Sequence, residues 1–291
     1  MGASGSAWIE HRIPNPAIAG SNPASPVRPP SRTPSASPRA ALPRRKRYRE
    51  LPAARAEREW ERYQGTLQRE LWLRLRERFL LRALDASPSQ SPWVVELGSG
   101  PGRFAPLLTR AGSQALLVDL SPAMIREGRR RLGSPPRTHW VLADALRLPI
   151  RLGATRLLVA LGQLLNLAGG EAPLFLREWD RVLPPGAGWA LEVNLEGSSL
   201  ASPSREKGTE TLTRFRLEEL EGRLASLGWR VEESLKVAPK AGGEEDSCRR
   251  ALKRWGGNWE QWLEEEERAG RSPEARGGGG AWLLRGRKQG R

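Results

Sequence analysis

The sequence predicts an α/β fold: a doubly wound, mostly parallel seven-stranded sheet with helices on both faces, preceded by an N-terminal helical extension. Three observations predict it. Short apolar runs alternate with amphipathic segments from Trp93 to Arg285, as strand–helix–strand units require. The run Arg156–Leu161 is apolar almost throughout, which suits a strand covered on both faces. A glycine-rich turn, Gly98–Gly102, follows the first of the runs and precedes a helix.

From Leu51 to Asp85 the pattern is helical. Trp72, Leu75, Phe79 and Ala83 recur at spacings of three and four, with Arg74, Arg76, Arg78 and Arg82 between them. An earlier helix passes through Trp60 and Tyr63, and Ser87-Pro88 ends the pair. Trp93–Leu97 is the first strand, followed by a helix over Arg103–Ala111. Ala115–Asp119 is the second, with a helix over Ser121–Leu132, and His139–Leu142 is the third. Arg156–Leu161 is the fourth. The helix after it, Glu171–Val182, stops at Leu183-Pro184-Pro185-Gly186, and Gly188–Asn194 is the fifth strand. Leu217–Leu227 is a helix closed by Gly228, a C-cap glycine, and Trp229–Val237 is the sixth strand. Asn258 reads as an N-cap with Gln261 three residues on. The helix it opens carries Trp259, Trp262 and Leu263, then Glu264–Glu267, which reads as a solvated face. A Gly277–Gly280 linker leads to a last strand, Ala281–Arg285.

At 291 residues and 38% hydrophobic content, the chain can fill one large core and carry extensions. Cys248 is the single cysteine, which excludes a disulfide framework or a cysteine-based zinc site within one chain and suits a reducing cytoplasm. No window approaches 18 uninterrupted apolar residues, so no membrane span is expected, and the first residues lack the pattern of a secretory signal. His11 and His139 join no carboxylate cluster at metal-ligand spacing, so no metal is expected. His139 opens the third strand, far from the strand ends where ligands bind, and reads as structural.

The formal charge of +15 is unevenly spread. Residues 1–50 hold nine Lys and Arg against Glu10 and Glu50, so +7 of the charge lies there and +8 in the rest. Only six of the 48 basic residues are lysine, and Ala, Gly and Pro are abundant. That composition fits a GC-rich coding sequence as well as a nucleic-acid partner. Residues 1–43 are rich in Pro, Ser and Ala with almost no apolar period, so residues 1–50 are expected to be a disordered basic leader. The run Arg44–Arg49 reads as a solvated tract rather than an RNA or lipid contact. Gly20-Ser21-Asn22-Pro23 is what the T-arm of a tRNA gene would encode, so the expected origin of the leader is a start codon called too early.

The chemistry starts at Glu96-Leu97-Gly98-Ser99-Gly100-Pro101-Gly102. Glycines permit positive φ and let backbone approach a ligand, and the next helix offers unpaired N–H groups to an anion. Alone the turn is ambiguous, because Gly100-x-Gly102-x-x-Ala105 also fits the dinucleotide pattern. Three acids narrow it. Glu96 sits at the end of an apolar strand, where a carboxylate is costly without a partner. Asp119 ends the second strand, where an acid can accept both hydroxyls of a ribose. Asp144-Ala145 ends the third, where an acceptor can meet an adenine amino group.

On these residues the chain resembles the class I S-adenosylmethionine-dependent methyltransferases, over most of residues 91–291. Their first motif is seen at Glu96–Gly102, their second at Val118-Asp119-Leu120-Ser121-Pro122-Ala123-Met124, and their third at Ala143-Asp144-Ala145-Leu146-Arg147-Leu148-Pro149. Arg181-Val182-Leu183-Pro184-Pro185-Gly186 resembles their signature before strand five. Phe215–Leu220 through Gly228-Trp229 resembles their approach to strand six. Two departures are visible: Ala154-Thr155 replaces the acid that often opens strand four, and Gly186-Ala187-Gly188 lengthens the usual glycine pair.

The resemblance implies S-adenosyl-L-methionine as cofactor. Gly98, Gly100 and Gly102 would lie against its methionine part, with Glu96 near the ammonium group. Asp119 would bind the ribose, Leu120 and Met124 would pack near the adenine, and Asp144 and Ala145 would read its edge. Leu161 and Gly162 would border the transferable methyl. In such enzymes the protein chiefly aligns a nucleophile with the methyl, so a fixed catalytic residue can be lacking, and the sequence singles out none.

The acceptor pocket is expected above the ends of strands four and five. Gln163 and Asn166 are candidate walls, with Glu192 and Asn194, Tyr63 from the N-terminal helices, and Trp259 and Trp262 from the late insertion. The expected organisation is helices capping the active site over 51–87, then the methyltransferase domain over 88–291 with a helical insertion near 246–270. Enzymes that methylate base amino groups often carry an Asn/Asp-Pro-Pro-aromatic loop after strand four. Here that place reads Leu161-Gly162-Gln163-Leu164-Leu165-Asn166. Cys248 follows Ser247 in a polar tract and reads as an ordinary thiol, not a pyrimidine-methylating nucleophile. A small-molecule acceptor is therefore favoured over RNA or protein, and over a non-catalytic scaffold of the same fold, whose glycine loop would tolerate bulkier residues. The N-terminus is directly testable: mass spectrometry of the protein from its native source should find no peptides from residues 1–40, and finding them would remove the read-through origin.

Overall fold

The computed structural model describes residues 46, 48–62, 64–88, 91–151, 155–162, 171–195, 216–237, 245–276 and 280–290. All of these fall in one compact unit within Ala36–Arg291. The expected leader, apart from its last few residues, lies outside them.

Seven strands form one sheet: β1 (Trp93–Leu97), β2 (Gln114–Asp119), β3 (Thr138–Leu142), β4 (Thr155–Ala160), β5 (Gly188–Leu195), β6 (Trp229–Lys236) and β7 (Gly280–Lys288). Their order is β3-β2-β1-β4-β5-β7-β6. The first five run parallel, and β7 inserts antiparallel between β5 and β6. The chain winds outward from β1 to β3, then returns and winds the other way from β4. The crevice outside the ends of β1 and β4 is therefore the topological switch point, where open α/β sheets bind ligands.

The described helices are α1 (Ala53–Glu61), α2 (Leu67–Ala86), α3 (Ala105–Leu108), α4 (Pro122–Leu132), α5 (Ala172–Val182), α6 (Leu217–Ser226), α7 (Glu245–Arg254), α8 (Trp259–Gly270) and α9 (Pro273–Arg276). Strand alternation sends side chains to two separate cores. Val95, Leu97, Leu158, Trp189 and Leu191 pack against Phe175 and Trp179 of α5 and Leu220 and Leu224 of α6. Val94, Val159, Ala190 and Leu283 pack on the other face against Leu75 and Phe79 of α2 and Trp262 and Leu263 of α8. Both faces are covered, as the apolar strands demand.

Several helix starts follow the sequence. The Ser121 hydroxyl accepts from Met124 N at 3.4 Å, and the Asn258 side chain accepts from Glu260 N at 3.0 Å and Gln261 N at 3.2 Å. Helix α2 is capped twice, by Thr66 on Arg69 N and by the distant carboxylate of Glu245 on Leu67 N and Gln68 N. The helix expected over Arg103–Ala111 is one turn of α3 followed by a 3-10 turn at Arg110–Gly112. The last strand is longer than expected, because β7 lies between two partners and every added residue completes a ladder.

One expectation is corrected. Within Glu264–Glu267, Glu264 is exposed as expected, but Glu266 is 1% exposed and Glu267 4%. Glu266 accepts from the Trp262 indole at 3.2 Å. Glu267 accepts from Arg78 at 3.3 Å, Arg82 at 2.8 Å and Arg271 at 3.3 Å. Glu233 on β6 joins the same network through Arg82, Arg271 and Arg285. Burial opposes the Glu233 charge, yet hydrogen bonds from Arg285 and Arg271 and the nearby charge of Arg82 hold its carboxyl below the ordinary range. Arg78 and Arg82 of α2 thus dock α8 and β6.

Among the described residues no helix is long and apolar enough to cross a membrane. A Cβ on Gly286 of β7 would come within 1.7 Å of the Arg230 carbonyl oxygen, beside the irregular register at Val231/Glu233. Backbone must shift to admit it. Gly286→Ala should therefore lower stability by about 1–3 kcal/mol in urea unfolding, and an unchanged midpoint would contradict this packing.

Candidate active site

Glu96 is the penultimate residue of β1 and faces the same side of the sheet as Val94. It is 3% exposed, and its Oε2 has no hydrogen-bond partner among the described residues; the Ser99 hydroxyl is orphaned in the same way. Burial, and then the charge of Asp119, push the Glu96 carboxyl up to about 8. An acid so placed is held in readiness for a cationic partner.

The glycine loop is tied down by backbone bonds. Ser99 N donates to Val118 O at 3.1 Å and Gly102 N donates to Ser99 O at 3.0 Å. Gly100 N donates to Asp119 Oδ2 at 2.8 Å. Gly98, Gly100 and Gly102 have φ of +63°, +55° and +72°, which side-chain-bearing residues rarely adopt. The last two glycines serve different ends. A Cβ on Gly100 would meet nothing within 4 Å, so open space lies above it. A Cβ on Gly102 would lie 2.4 Å from the Trp140 ring, and one on Gly128 of α4 would lie 2.2 Å from the same ring. Gly102 thus admits a tryptophan beneath the loop.

Asp119 closes β2 with its carboxylate in a nest of backbone donors: Gly100 N on Oδ2, Ser121 N on Oδ1 at 2.8 Å, and Leu120 N. Burial raises its pKa and these three N–H groups oppose the rise. A carboxylate has about four acceptor positions, so a position remains for a hydroxyl. Met124 is buried with Ala123 and with Ala56 of α1, and Leu51 packs on the cluster. Leu120 is half-buried beside it. Asp144 closes a turn after β3, its Oδ1 accepting from Leu146 N at 2.9 Å, and Ala145 is buried. Leu161 and Gly162, the latter at φ +79°, follow β4.

The structure thus brings Glu96, Gly98, Gly100, Gly102, Asp119, Leu120, Met124, Asp144, Ala145, Leu161 and Gly162 to the ends of β1 to β4. An orphaned buried acid, an open glycine and a ring of acceptors fit a ligand with a cationic end and a polar, hydroxylated body. Tyr63, Gln163 and Asn166 lie outside the described residues. Trp259 and Trp262 are not brought to this crevice. Trp262 is buried in the core under α8 and bonded to Glu266. Trp259 stacks on it at 5.0 Å and carries the Arg74 guanidinium at 4.6 Å. Both dock α8 on α2.

Sequence reasoning expected helices over 51–87 to cap the site but missed the side chains that seat α1 on this crevice. Arg103, next after the glycine loop, donates to Glu59 O at 3.2 Å, and its guanidinium lies 5.2 Å from the Trp60 ring centre. Arg131 of α4 lies 5.8 Å from the same ring and pairs with Glu61. Trp140 was missed as well; a glycine inside α4, at Gly128, was its one signal. Cys248 is buried, and burial followed by the charges of Glu245 and Glu266 pushes its thiol up to about 11, which leaves it unreactive.

Residues 94–186 match the family described as a methyltransferase domain. That stretch is a methyltransferase domain. Ribosomal RNA small subunit methyltransferase A of Synechococcus sp. (strain JA-2-3B'a(2-13)) is 33% identical to this chain over 97 residues, 31% of this chain and 34% of that protein. The similarity thus spans about a third of that relative's length. A Haloferax volcanii methyltransferase, solved in complex with the Trm112 methyltransferase activator, superposes with a TM-score of 0.55 at 19% identity, covering 82% of this chain and 95% of that one. Geranyl diphosphate C-methyltransferase from Streptomyces coelicolor A3(2), solved with Mg2+, geranyl diphosphate and S-adenosyl-L-homocysteine, superposes with a TM-score of 0.51 at 16% identity, covering 73% of this chain and 78% of that one. At such identities the solved structures establish the fold.

The raised pKa of Glu96 has a definite sign. Between its ordinary value of 4.5 and about 8 the folded domain keeps a proton that the unfolded chain releases, so stability falls as pH rises. The slope can reach about 1.4 kcal/mol per pH unit. Thermal midpoints measured without ligand from pH 5 to 8 should fall in the wild type, and Glu96→Gln should flatten the decline; an equal slope in both would place the proton elsewhere.

Proposed function

We propose that the protein is an S-adenosylmethionine-dependent methyltransferase that transfers the methyl group to a small-molecule acceptor by in-line displacement. The observation that carries this reading is the set of three acids, Glu96, Asp119 and Asp144, at successive strand ends around a glycine loop with open space over Gly100. When bound, the cofactor supplies a sulfonium-activated methyl group. Glu96 would meet the ammonium, Asp119 a ribose hydroxyl, and Asp144 with Ala145 the adenine edge, while Met124 under α1 packs the apolar side. Leu161 and Gly162 would border the methyl. The chain's own contribution is alignment and exclusion of water, a proximity effect worth up to roughly 7–11 kcal/mol. Helix α1 would be the cap, with Arg103 and Arg131 holding its Trp60 on the ribose side.

A small-molecule acceptor is supported by the stretch after β4, Leu161-Gly162-Gln163-Leu164, which lacks the Asn/Asp-Pro-Pro-aromatic loop of enzymes acting on base amines. One observation favours the second reading, methylation of RNA: the curated relative acts, by its name, on ribosomal RNA. The shared stretch covers about a third of each protein.

Calorimetry and a transfer assay test the reading together. S-adenosylhomocysteine should bind and NADH should not, and Gly100→Arg should abolish binding while leaving the circular dichroism spectrum intact. Tritiated methyl groups from S-adenosylmethionine should appear in the small-molecule fraction of a source-organism extract; label in the RNA fraction instead would select the second reading.

A further inference from the structure

Arg76 of α2 and Glu192 of β5 form an ion pair inside the protein, with side chains 4% and 3% exposed. Arg76 Nε donates to Glu192 Oε2 at 3.1 Å, Nη2 donates to Oε1, and Nη1 donates to the Trp72 carbonyl at 3.0 Å. The fork is bidentate and joins a strand to the backbone of a helix. Burying two charges costs about as much solvation as their attraction returns, so apolar side chains of similar size would stabilise the fold equally well. Stability alone does not account for the pair.

Its place suggests what does. The register Ala160↔Leu191 sets Glu192 level with Leu161, on the sheet face shared with Val159 and Ala190. Helix α2 runs antiparallel to β5. Its end at Ser87 lies against Gly188, where a Cβ would fall 2.3 Å from the Ser87 hydroxyl, and Arg76 reaches Glu192 farther along. From Trp72 back to Leu67, α2 therefore rises past β5 toward the edge where Glu96, Asp119 and Leu161 gather. The Arg76 guanidinium lies 5.7 Å from the Trp72 ring centre, so the same fork seats that side chain. A planar guanidinium fixes both distance and rotation, which a lysine ammonium cannot do.

We propose that Arg76 is a positioning residue for methyl transfer: through Glu192 it sets the height and rotation of α2 against β5, and with them the wall that Trp72 presents beside the acceptor. This role rests on the methyltransferase reading above and adds a residue to it. The chemistry itself needs no proton from the pair.

The test compares wild type, Arg76→Met with Glu192→Leu, and Arg76→Lys, in thermal midpoint, S-adenosylhomocysteine affinity and tritiated methyl transfer into whichever extract fraction the wild type labels. The apolar double variant should melt at or above the wild-type midpoint and bind S-adenosylhomocysteine within about twofold, yet lose about 100-fold in kcat, the scale of a misplaced reacting group. Arg76→Lys should also keep cofactor affinity and lose at least about tenfold in kcat. Wild-type kcat in either variant would overturn the role, and so would a double variant that no longer folds, since the pair would then be a stability element. Absence of transfer by the wild type into every fraction would end the methyltransferase reading, and the positioning role with it.

Discussion

Three backbone N–H groups, those of Gly100, Leu120 and Ser121, converge on one carboxylate at the end of β2. Asp119 thereby ties the glycine loop of β1 to the start of α4 and sets the floor of the switch-point crevice. The loop is also held by Ser99 N on Val118 O, Gly102 N on Ser99 O and Ala105 N on Gly102 O. The same negative charge raises the Glu96 carboxyl next to it, so a structural tether and a ligand-binding acid are electrostatically one unit. On the proposed reading, a cation entering the crevice would relieve both acids, which would favour a cofactor carrying an ammonium and a sulfonium.

Elsewhere the domain also uses carboxylates as joints, the first three of them largely removed from water. Glu192 fastens α2 to β5, Glu267 and Glu233 fasten α8 and β6 to the arginines of α2, and Glu245 caps the first turn of α2. Each is satisfied by arginine or backbone N–H, as a charge removed from water must be. Helix α2 is the common member of all four joints. It spans the sheet face below the crevice and is continuous with the segment that brings α1 over Met124. On the proposed reading, the geometry of the acceptor side would depend on a helix outside residues 94–186, the stretch that matches the family.

The parts of this design that were legible in the sequence are those encoded locally. The strands β1 to β5 are largely apolar runs, and β6 is marked by Gly228 closing the helix before it. Ser121 and Asn258 sit where N-caps must, and Glu96 stands out as a costly acid in an apolar run. What was not legible depends on partners far away in the chain. Glu266 and Glu267 look like a solvated acidic stretch until Trp262 and the arginines of α2 fold onto them. Trp262 looks like a candidate wall until α8 is seen to bury it. Arg76 looks like one more polar spacer in an amphipathic helix, because only tertiary structure sets it opposite Glu192. Trp140 could be inferred only by asking why residue 128, inside a helix, has no side chain.

The central claim is that the acids at the ends of β1 to β3 and the loop over Gly100 form one S-adenosylmethionine site. A crystal structure of the protein with S-adenosylhomocysteine tests it most directly. The claim predicts the amino-acid portion of the ligand over Gly98–Gly102 with its ammonium toward Glu96, a ribose hydroxyl on Asp119, and the adenine beside Ala145 and Met124. A ligand bound elsewhere, or seated here with its ammonium turned away from Glu96 and no hydroxyl on Asp119, would contradict it.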